Sequence, residues 1–316
     1  MIGVDILVLA GASPSAVGVS LDVLDAANKL ARKPAFDHRV LSTETAGVAL
    51  RGGLSIASRP LARTRARDLV IVPGLGAATR EEAALRIAQP DAVRAAAWLK
   101  AAWQGGATVA SSCTGVFVLG AAGLLDRRQC TTTWWLVPHL QSLFPASEPS
   151  RDAMLTEDRR VWTAGAALAH IDLMLGLVAR FAGPALAEET ARHLVVERRA
   201  SQARYVIPAF LAARDPLAGR IERYVRTRLA RPVSLAELAE ATATTSRTLS
   251  RRLVAATGMA PMKFVQKIRV DAALHLLQTT RLPMPDVAEQ VGFADQAALY
   301  RLIVRHTGSP PSAFRR

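Results

Sequence analysis

One cysteine in this chain stands where a nucleophile is normally placed. Ala110-Ser-Ser-Cys113-Thr114-Gly115 follows the β-prone run Thr108-Val-Ala110 and leads into a helical pattern through Leu124. A tight strand-to-helix turn lifts such a thiol to the carboxyl edge of a sheet, and the helix N-terminus lowers its pKa. Val72-Pro-Gly74 closes another strand-like run, which makes the Gly74 amide a candidate oxyanion donor beside Cys113. A thiolate there needs a base within hydrogen-bond reach before it can attack a carbonyl. His139 and His170 are the histidines that chain folding can bring back to it. Without a base, the same turn is a pocket. Ser13, Gly74, Cys113, Thr114 and Trp134 are its expected walls, and inward-facing backbone N–H groups would suit a carboxylate or other anion. The plain alternative makes Cys113 a small buried residue without a role, and Cys130 reads as structural. Asp172, on an apolar helix, reads as an N-terminal helix charge. No zinc-like spacing, phosphate loop or dinucleotide fingerprint appears, so neither a metal nor a cofactor is expected.

A second chemistry is written in arginine. Ser234 to Leu253 and Met284 to Ile303 each hold a short helix of small residues, a turn and a second helix with arginine opposite its apolar stripe. In the first module Ser234 and Glu237 have the spacing of a capping box, and Thr245 or Ser246 caps the next helix. Leu249 and Leu253 face inward, which leaves Arg247, Ser250 and Arg251 outward. In the second, Val287 and Ala288 face in, Gly292 turns and Asp295 caps. Gln296, Ala297, Tyr300 and Arg301 then point outward, while Leu299 and Ile303 pack. Arginine on such a face reads guanine or binds phosphate, and glutamine reads adenine. Two modules joined by one helix, Pro261 to Gln278, address major-groove segments about one DNA turn apart, roughly 34 Å.

These sites need elements to position them. Val4 to Ala10, Arg39 to Ser42, Leu54 to Ile56, Asp68 to Val72 and Thr108 to Ala110 read as strands. Helical patterns cover Leu21 to Leu30, Ala92 to Trp103, Ala167 to Phe181 and Pro184 to Val196. The alternation predicts an α/β fold with a doubly wound, mainly parallel sheet over 1–196. A charged stretch, 197–215, reads as a linker. Residues 216–316 form an all-α domain with two helix-turn-helix modules. Charge follows the same division. Of a net +14, the 113 residues from Arg204 onward hold 18 Lys/Arg against 8 Asp/Glu, and the rest hold 22 against 18. A basic excess confined to one domain points to a polyanion partner. Two cysteines form no disulfide framework, the first apolar run contains Asp5, and no run is long enough to span a bilayer. A cytoplasmic protein without a membrane partner is expected.

The C-terminal segment resembles the AraC-type transcription regulators over about Leu217 to Arg316. The resemblance rests on Gly258-Met-Ala-Pro261, Arg269-Val-Asp-Ala272-Ala273-Leu-His-Leu276-Leu277, Val287-Ala288 through Gly292-Phe293, and Gly308-Ser-Pro310-Pro-Ser-Ala-Phe314-Arg315. Leu253 and Ile303 stand where that family usually has phenylalanine, and Phe314 where it has tyrosine. The first 196 residues resemble the class I glutamine amidotransferase-like fold of the PfpI type. Cys113-Thr-Gly115-Val-Phe-Val-Leu119, Ala122-Gly-Leu-Leu-Asp126, Thr132-Thr133 with Trp135, and Ala164-Gly165 through Ile171-Asp172-Leu173 carry it. Family members often place histidine where this chain has Trp134, and hydrolases of the fold need an acid where Ser13-Pro-Ser-Ala-Val-Gly18 offers none. The resemblance thus implies a one-component regulator, not an enzyme, with a sensor half and a DNA-binding half. It implies a small nitrogen-containing effector such as an amino acid or betaine, dimerisation through the sensor half and RNA polymerase as a further partner, and it leaves activator or repressor open. Two rival readings stay open. One is a cysteine-dependent amidase or hydratase fused to a DNA-targeting module. The other is a redox or electrophile sensor built on Cys113.

Overall fold

The apolar runs of the N-terminal half have no polar side to show to water, which suits parallel strands covered on both faces. The computed structural model, which describes residues 1–45, 47–61 and 66–315, builds them into a seven-stranded sheet. Ala46, residues 62–65 and Arg316 fall inside the expected domains and lie outside the described residues. In chain order the strands are β1 (Ile2–Leu7), β2 (Phe36–Ser42), β3 (Val48–Ala49), β4 (Ser55–Ile56), β5 (Arg59–Pro60), β6 (Leu69–Val72), β7 (Thr108–Ser112), β8 (Gln129–Thr131), β9 (Glu148–Ser150), β10 (Leu155–Asp158) and β11 (Val161–Ala164). Across the main sheet the order is β10-β11-β7-β6-β1-β2-β5. Its pairs are parallel, apart from β10 against β11. Hairpin β3-β4 and the parallel pair β8-β9 stand outside it.

Successive strand residues point to opposite faces. In β1, Val4, Asp5, Ile6 and Leu7 are all fully buried, so both faces are covered there. The buried Asp5 carboxylate is gripped by Arg39 Nε (2.6 Å) on β2 and by the Arg67 amide (3.0 Å). The helices of this half are α1 (Pro14–Leu30), α2 (Arg80–Ile87), α3 (Pro90–Gln104), α4 (Val116–Ala121), α5 (Val137–Leu143), α6 (His170–Ala182) and α7 (Pro184–His193). One group is formed by α1, α6 and α7, and another by α2, α3 and α4. This is the expected α/β architecture with a mostly parallel sheet.

A second compact unit begins at Ala203 and is helical. It contains α8 (Pro208–Ala212), α9 (Pro216–Arg226), α10 (Leu235–Ala241), α11 (Ser246–Thr257), α12 (Pro261–Thr279), α13 (Met284–Gln290) and α14 (Gln296–Thr307). The two helix-turn-helix modules are α10-α11 and α13-α14. Ser234 and Glu237 close the capping box, Thr245 caps α11, and Asp295 caps α14 through the Ala297 and Ala298 amides. The intervening α12 is about 28 Å long at 1.5 Å per residue, and it touches α9 and α11 on one side and α13 and α14 on the other. Phe264, Ile268 and Ala272 are buried along it as expected, whereas Leu276 is only half-buried and Leu277 takes the inner position.

The stretch 197–215, expected as a linker, is divided between the two units and makes contacts within each. Arg199 forks onto Asp172 of α6 (2.6 and 3.0 Å), and its own amide donates to Asp172 Oδ1 at 2.7 Å. Gln202 is buried in the first unit. Lys267 Nζ donates to Ala203 O, and Arg204 donates to Thr307 O, within the second.

The turns of the two modules differ by one telling residue. Phe293 N–H donates to Ala288 O and Thr244 N–H to Ala239 O, which makes Gly292 and Ala243 equivalent. Both have positive φ, +76° and +52°. An alanine there costs about 1–2 kcal/mol, partly offset because glycine is freer in the unfolded chain by roughly 0.4–1 kcal/mol. Ala243 is exposed, so no packing is lost on its removal. Ala243→Gly is expected to stabilise the helical unit by a net of roughly 0.5 kcal/mol, read as a small rise in its thermal midpoint; a fall would contradict the strain.

Candidate functional site

The turn after β7 is set by crowding. A Cβ on Gly115 would lie 2.5 Å from Ser111 Oγ, 2.7 Å from Pro73 O and 2.9 Å from Val72 O. Glycine therefore lets the start of α4 close onto the loop after β6. Cys113 at the apex has φ +54°, a strained value for a non-glycine residue. Hydrogen bonds hold it: Cys113 N–H donates to Gly165 O (2.8 Å), and Thr132 Oγ1 donates to Cys113 O (2.6 Å). This is the elbow expected from the sequence.

What faces the thiol is not a base. Cys113 Sγ lies 3.0 Å from Thr133 Oγ1. His170 is one residue's reach away but points elsewhere. Its Nδ1 is 2.8 Å from Ser112 Oγ and its Nε2 is 2.7 Å from Ser20 Oγ. Ser20 Oγ also donates to Ala16 O, which makes it the acceptor from Nε2–H and leaves Nδ1 to accept the Ser112 proton. Both ring nitrogens are thus engaged, and full burial pushes the His170 pKa down to about 4. His139 is half-buried in α5. Burial pushes the Cys130 thiol up to about 12, so it stays protonated.

Beside Cys113 opens a cavity of about 150 Å³. Of the pocket residues named from the sequence, Ser13, Gly74 and Cys113 line it. Thr114 and Trp134 do not. The Thr114 hydroxyl turns away to accept the Leu75 and Gly76 amides (2.8 and 3.0 Å), which withdraws those N–H groups from any anion in the cavity. Trp134 is buried, and its neighbour Trp135 supplies the aromatic wall, the two rings meeting edge-on at 4.9 Å. The sequence reading missed Arg51, Gly76, Ser112 and Trp135. The cavity sits beyond the carboxyl ends of β1, β6, β7 and β11, where ligands bind in sheets of this kind. Asp172 acts as the anchor for Arg199 rather than only as a helix charge.

On the helical unit, Arg247 and Arg251 of α11 are exposed, with Arg252 beside them. Ser250 is half-buried and its hydroxyl donates to Ser246 O. On α14, Gln296, Ala297, Tyr300 and Arg301 are exposed, and Arg301 lies 3.7 Å from the capping Asp295. These side chains share the outer faces of the second helix of each module, opposite the buried Leu249, Leu253, Leu299 and Ile303. Among the described residues no group of three or more His, Cys, Asp or Glu is placed to hold a metal ion, and no helix is long and apolar enough to cross a membrane.

A pocket-bearing α/β domain followed by paired helix-turn-helix modules is the build of a regulator that binds DNA. Comparison agrees. Residues 6–180 match the DJ-1/PfpI family and residues 238–316 the helix-turn-helix domain family. The HTH-type transcriptional regulator CdhR of Pseudomonas aeruginosa is 29% identical over 238 residues, 73% of this chain and 68% of that protein. The HTH-type transcriptional regulator GlxA of Rhizobium meliloti is 28% identical over 214 residues, 67% of this chain and 66% of that protein. A crystal structure of an AraC family transcriptional regulator from Pseudomonas putida superposes with TM-score 0.53 at 28% identity, over 61% of this chain and all of that one. Drosophila melanogaster DJ-1beta shares the fold, with TM-score 0.50 at 17% identity over 62% of this chain and all of that one. The chain belongs to the DJ-1/PfpI family and is an AraC-type transcription regulator that carries such a domain.

Neutral His170 gives the first domain a pH signature. An unfolded histidine takes up its proton near 6.5, while the folded one resists until about 4. Stability from this residue is therefore complete above pH 6.5 and falls as pH drops towards 4, by about 3 kcal/mol in all. Urea midpoints measured between pH 7 and 4.5 should fall, and His170→Gln should flatten that slope. An unchanged slope in the variant would assign the pH dependence to other groups.

Proposed function

We propose that this regulator reads the major groove with α11 and α14 and is switched by a small molecule held beside Cys113. The observation that carries the second part is the pairing of Cys113 Sγ with a threonine hydroxyl rather than a base. Threonine cannot take a proton from a thiol at neutral pH, and both nitrogens of His170 are committed to serine hydroxyls. Neither group serves as a proton acceptor for hydrolytic turnover, whereas a cavity at the sheet's carboxyl edge supports binding. This favours the non-enzyme reading over a fused amidase or hydratase.

In this reading residues 1–202 sense and residues 203–316 bind DNA. Arg247, Ser250, Arg251, Gln296, Ala297, Tyr300 and Arg301 supply the groove contacts. The ligand shifts the population between arrangements that differ in DNA affinity. A homodimer, contact with RNA polymerase and a cytoplasmic location complete the proposal.

Full-length protein should select a sequence from a random duplex pool, and its affinity should fall steeply with salt. On the selected site, Arg251→Ala and Arg301→Ala should each cost roughly 1–3 kcal/mol, about ten- to a hundredfold, and relax preference at separate positions. Equal losses on selected and random DNA would make both arginines phosphate contacts. No salt-sensitive binding at all would overturn the groove reading. No Cys113-dependent turnover of simple amides or esters is expected, and measurable turnover abolished by Cys113→Ala would overturn the non-enzyme reading.

A further inference from the structure

We propose that Arg51 is the specificity residue of the cavity, and that the ligand is a small monocarboxylate with an uncharged body. This rests on the reading of the cavity as the effector site. Arg51 is the one charged side chain among the cavity's lining residues, and no aspartate or glutamate lines it. Among the described residues its guanidinium has no carboxylate partner. Its place is built. The Arg51 amide donates to Ala12 O (3.1 Å), at the loop after β1, and Gly52 and Gly53 follow it, each at φ +79°. The guanidinium lies over Gly76, where an added Cβ would stand 2.7 Å from one terminal nitrogen and 3.3 Å from Cζ. Gly76 itself has φ +75°, so the backbone beneath the arginine favours glycine twice over.

The hydroxyls and the thiol of the wall already have partners. Ser13 Oγ is 2.9 Å from Ser15 Oγ, Ser112 Oγ is bonded to His170, and Cys113 Sγ to Thr133. The guanidinium, with its fork of donors, is the charged group of the wall that can receive an anion, and a carboxylate matches that fork with two parallel hydrogen bonds. The rest of the wall is Ala16, Ala77, Ala78, Ala167 and Trp135, apolar surface apart from the indole N–H. An ammonium on the ligand would lose water there and find no carboxylate in exchange, while meeting Arg51 as a like charge. The volume admits a molecule on the order of ten non-hydrogen atoms or fewer. A short branched or aromatic monocarboxylate fits this description, and an amino acid with a free ammonium fits it less well.

The test uses the full-length protein and three matched probes, isobutyrate, isobutyramide and isobutylamine, with benzoate, benzamide and benzylamine as the larger set. Binding is read by calorimetry on the parent, Arg51→Ala, Arg51→Lys and Ala77→Phe, each first shown to fold by circular dichroism and to keep basal DNA retention. Carboxylates should bind at least about tenfold more tightly than the matched amides and amines. Arg51→Ala should erase that preference and Arg51→Lys should restore part of it. Ala77→Phe, which narrows the cavity, should weaken all probes. Amides that bind as well as carboxylates, or carboxylate binding unchanged in Arg51→Ala, would overturn the inference. If binding is still lost in Ala77→Phe, the cavity reading survives that result. Probes that bind Ala77→Phe as they bind the parent would remove the cavity reading as well. A failure of every carboxylate to bind the parent would overturn the carboxylate inference.

Discussion

The close approach of the turn after β7 to the turn after β6 governs the sensor domain. Gly115 must lack a side chain because Pro73 O, Val72 O and Ser111 Oγ already occupy the space. With α4 held that near, the chain reaches the end of β7 only by carrying Cys113 through a positive φ. The cost is of order 1–3 kcal/mol, and it persists because Gly165, Thr132 and Thr133 fix the residue from three sides. None of these contacts involves a base. The elbow is thus held by main-chain and threonine contacts, independent of any base beside the thiol.

A constraint of the same kind organises the DNA-binding half. A Cβ at Gly292 would strike Leu229 O and crowd the Arg269 guanidinium. Arg269, on α12, donates to Gly292 O at 3.2 Å and to Arg231 O, so one side chain pins the second module's turn to the loop after α9. Burial lowers its pKa from the ordinary arginine range, which marks the desolvation this bridge tolerates. Arg226 ties α9 to α12 through Glu222 and Asp271. With these cations committed to holding the frame, the positive charge left on the surface includes Arg247, Arg251, Arg252 and Arg301 of α11 and α14. The framing arginines are thus paired with groups of their own unit, whereas those of α11 and α14 face outward.

That division explains what was legible in the sequence. Caps are local chemistry, so Ser234 with Glu237, Thr245 and Asp295 announce helix starts from their neighbours alone. Strands β1, β6 and β7 are legible as apolar runs between turn signals, whereas β10 and β11 went unread. Strands β8 and β9 are not legible either, because Gln129–Thr131 and Glu148–Ser150 have three residues each, too few for any period. In the cavity, spacing placed Ser13, Gly74 and Cys113, whose positions follow from strand ends. It failed for Trp134 and Thr114 because the wall there is set by side-chain direction. One residue along the chain exchanges a buried ring for one that lines the cavity, and a hydroxyl that seems free is taken by two amides. Arg51 was invisible because the hairpin that brings it back comes from a separate part of the chain.

The segment expected as a linker begins inside the first unit. Gln202 is 1% exposed, and its Nε2 donates to Thr131 Oγ1, Thr132 O and Ala153 O. Thr132 in turn holds the Cys113 carbonyl, and Gly165, whose missing Cβ makes room for the Gln202 amide, accepts the Cys113 N–H. The backbone on both sides of the cysteine is thus bonded to groups that also contact Gln202. Its Oε1 has no partner among the described residues, a burial penalty of about 1–3 kcal/mol. The following residue, Ala203, is held by Lys267 on α12, and Arg204 by the end of α14. A ligand alters DNA affinity only by binding one arrangement of the chain better than another. Within the first unit, Gln202 reaches the cysteine through Thr132, so a ligand beside Cys113 and the Gln202 amide share one hydrogen-bond network.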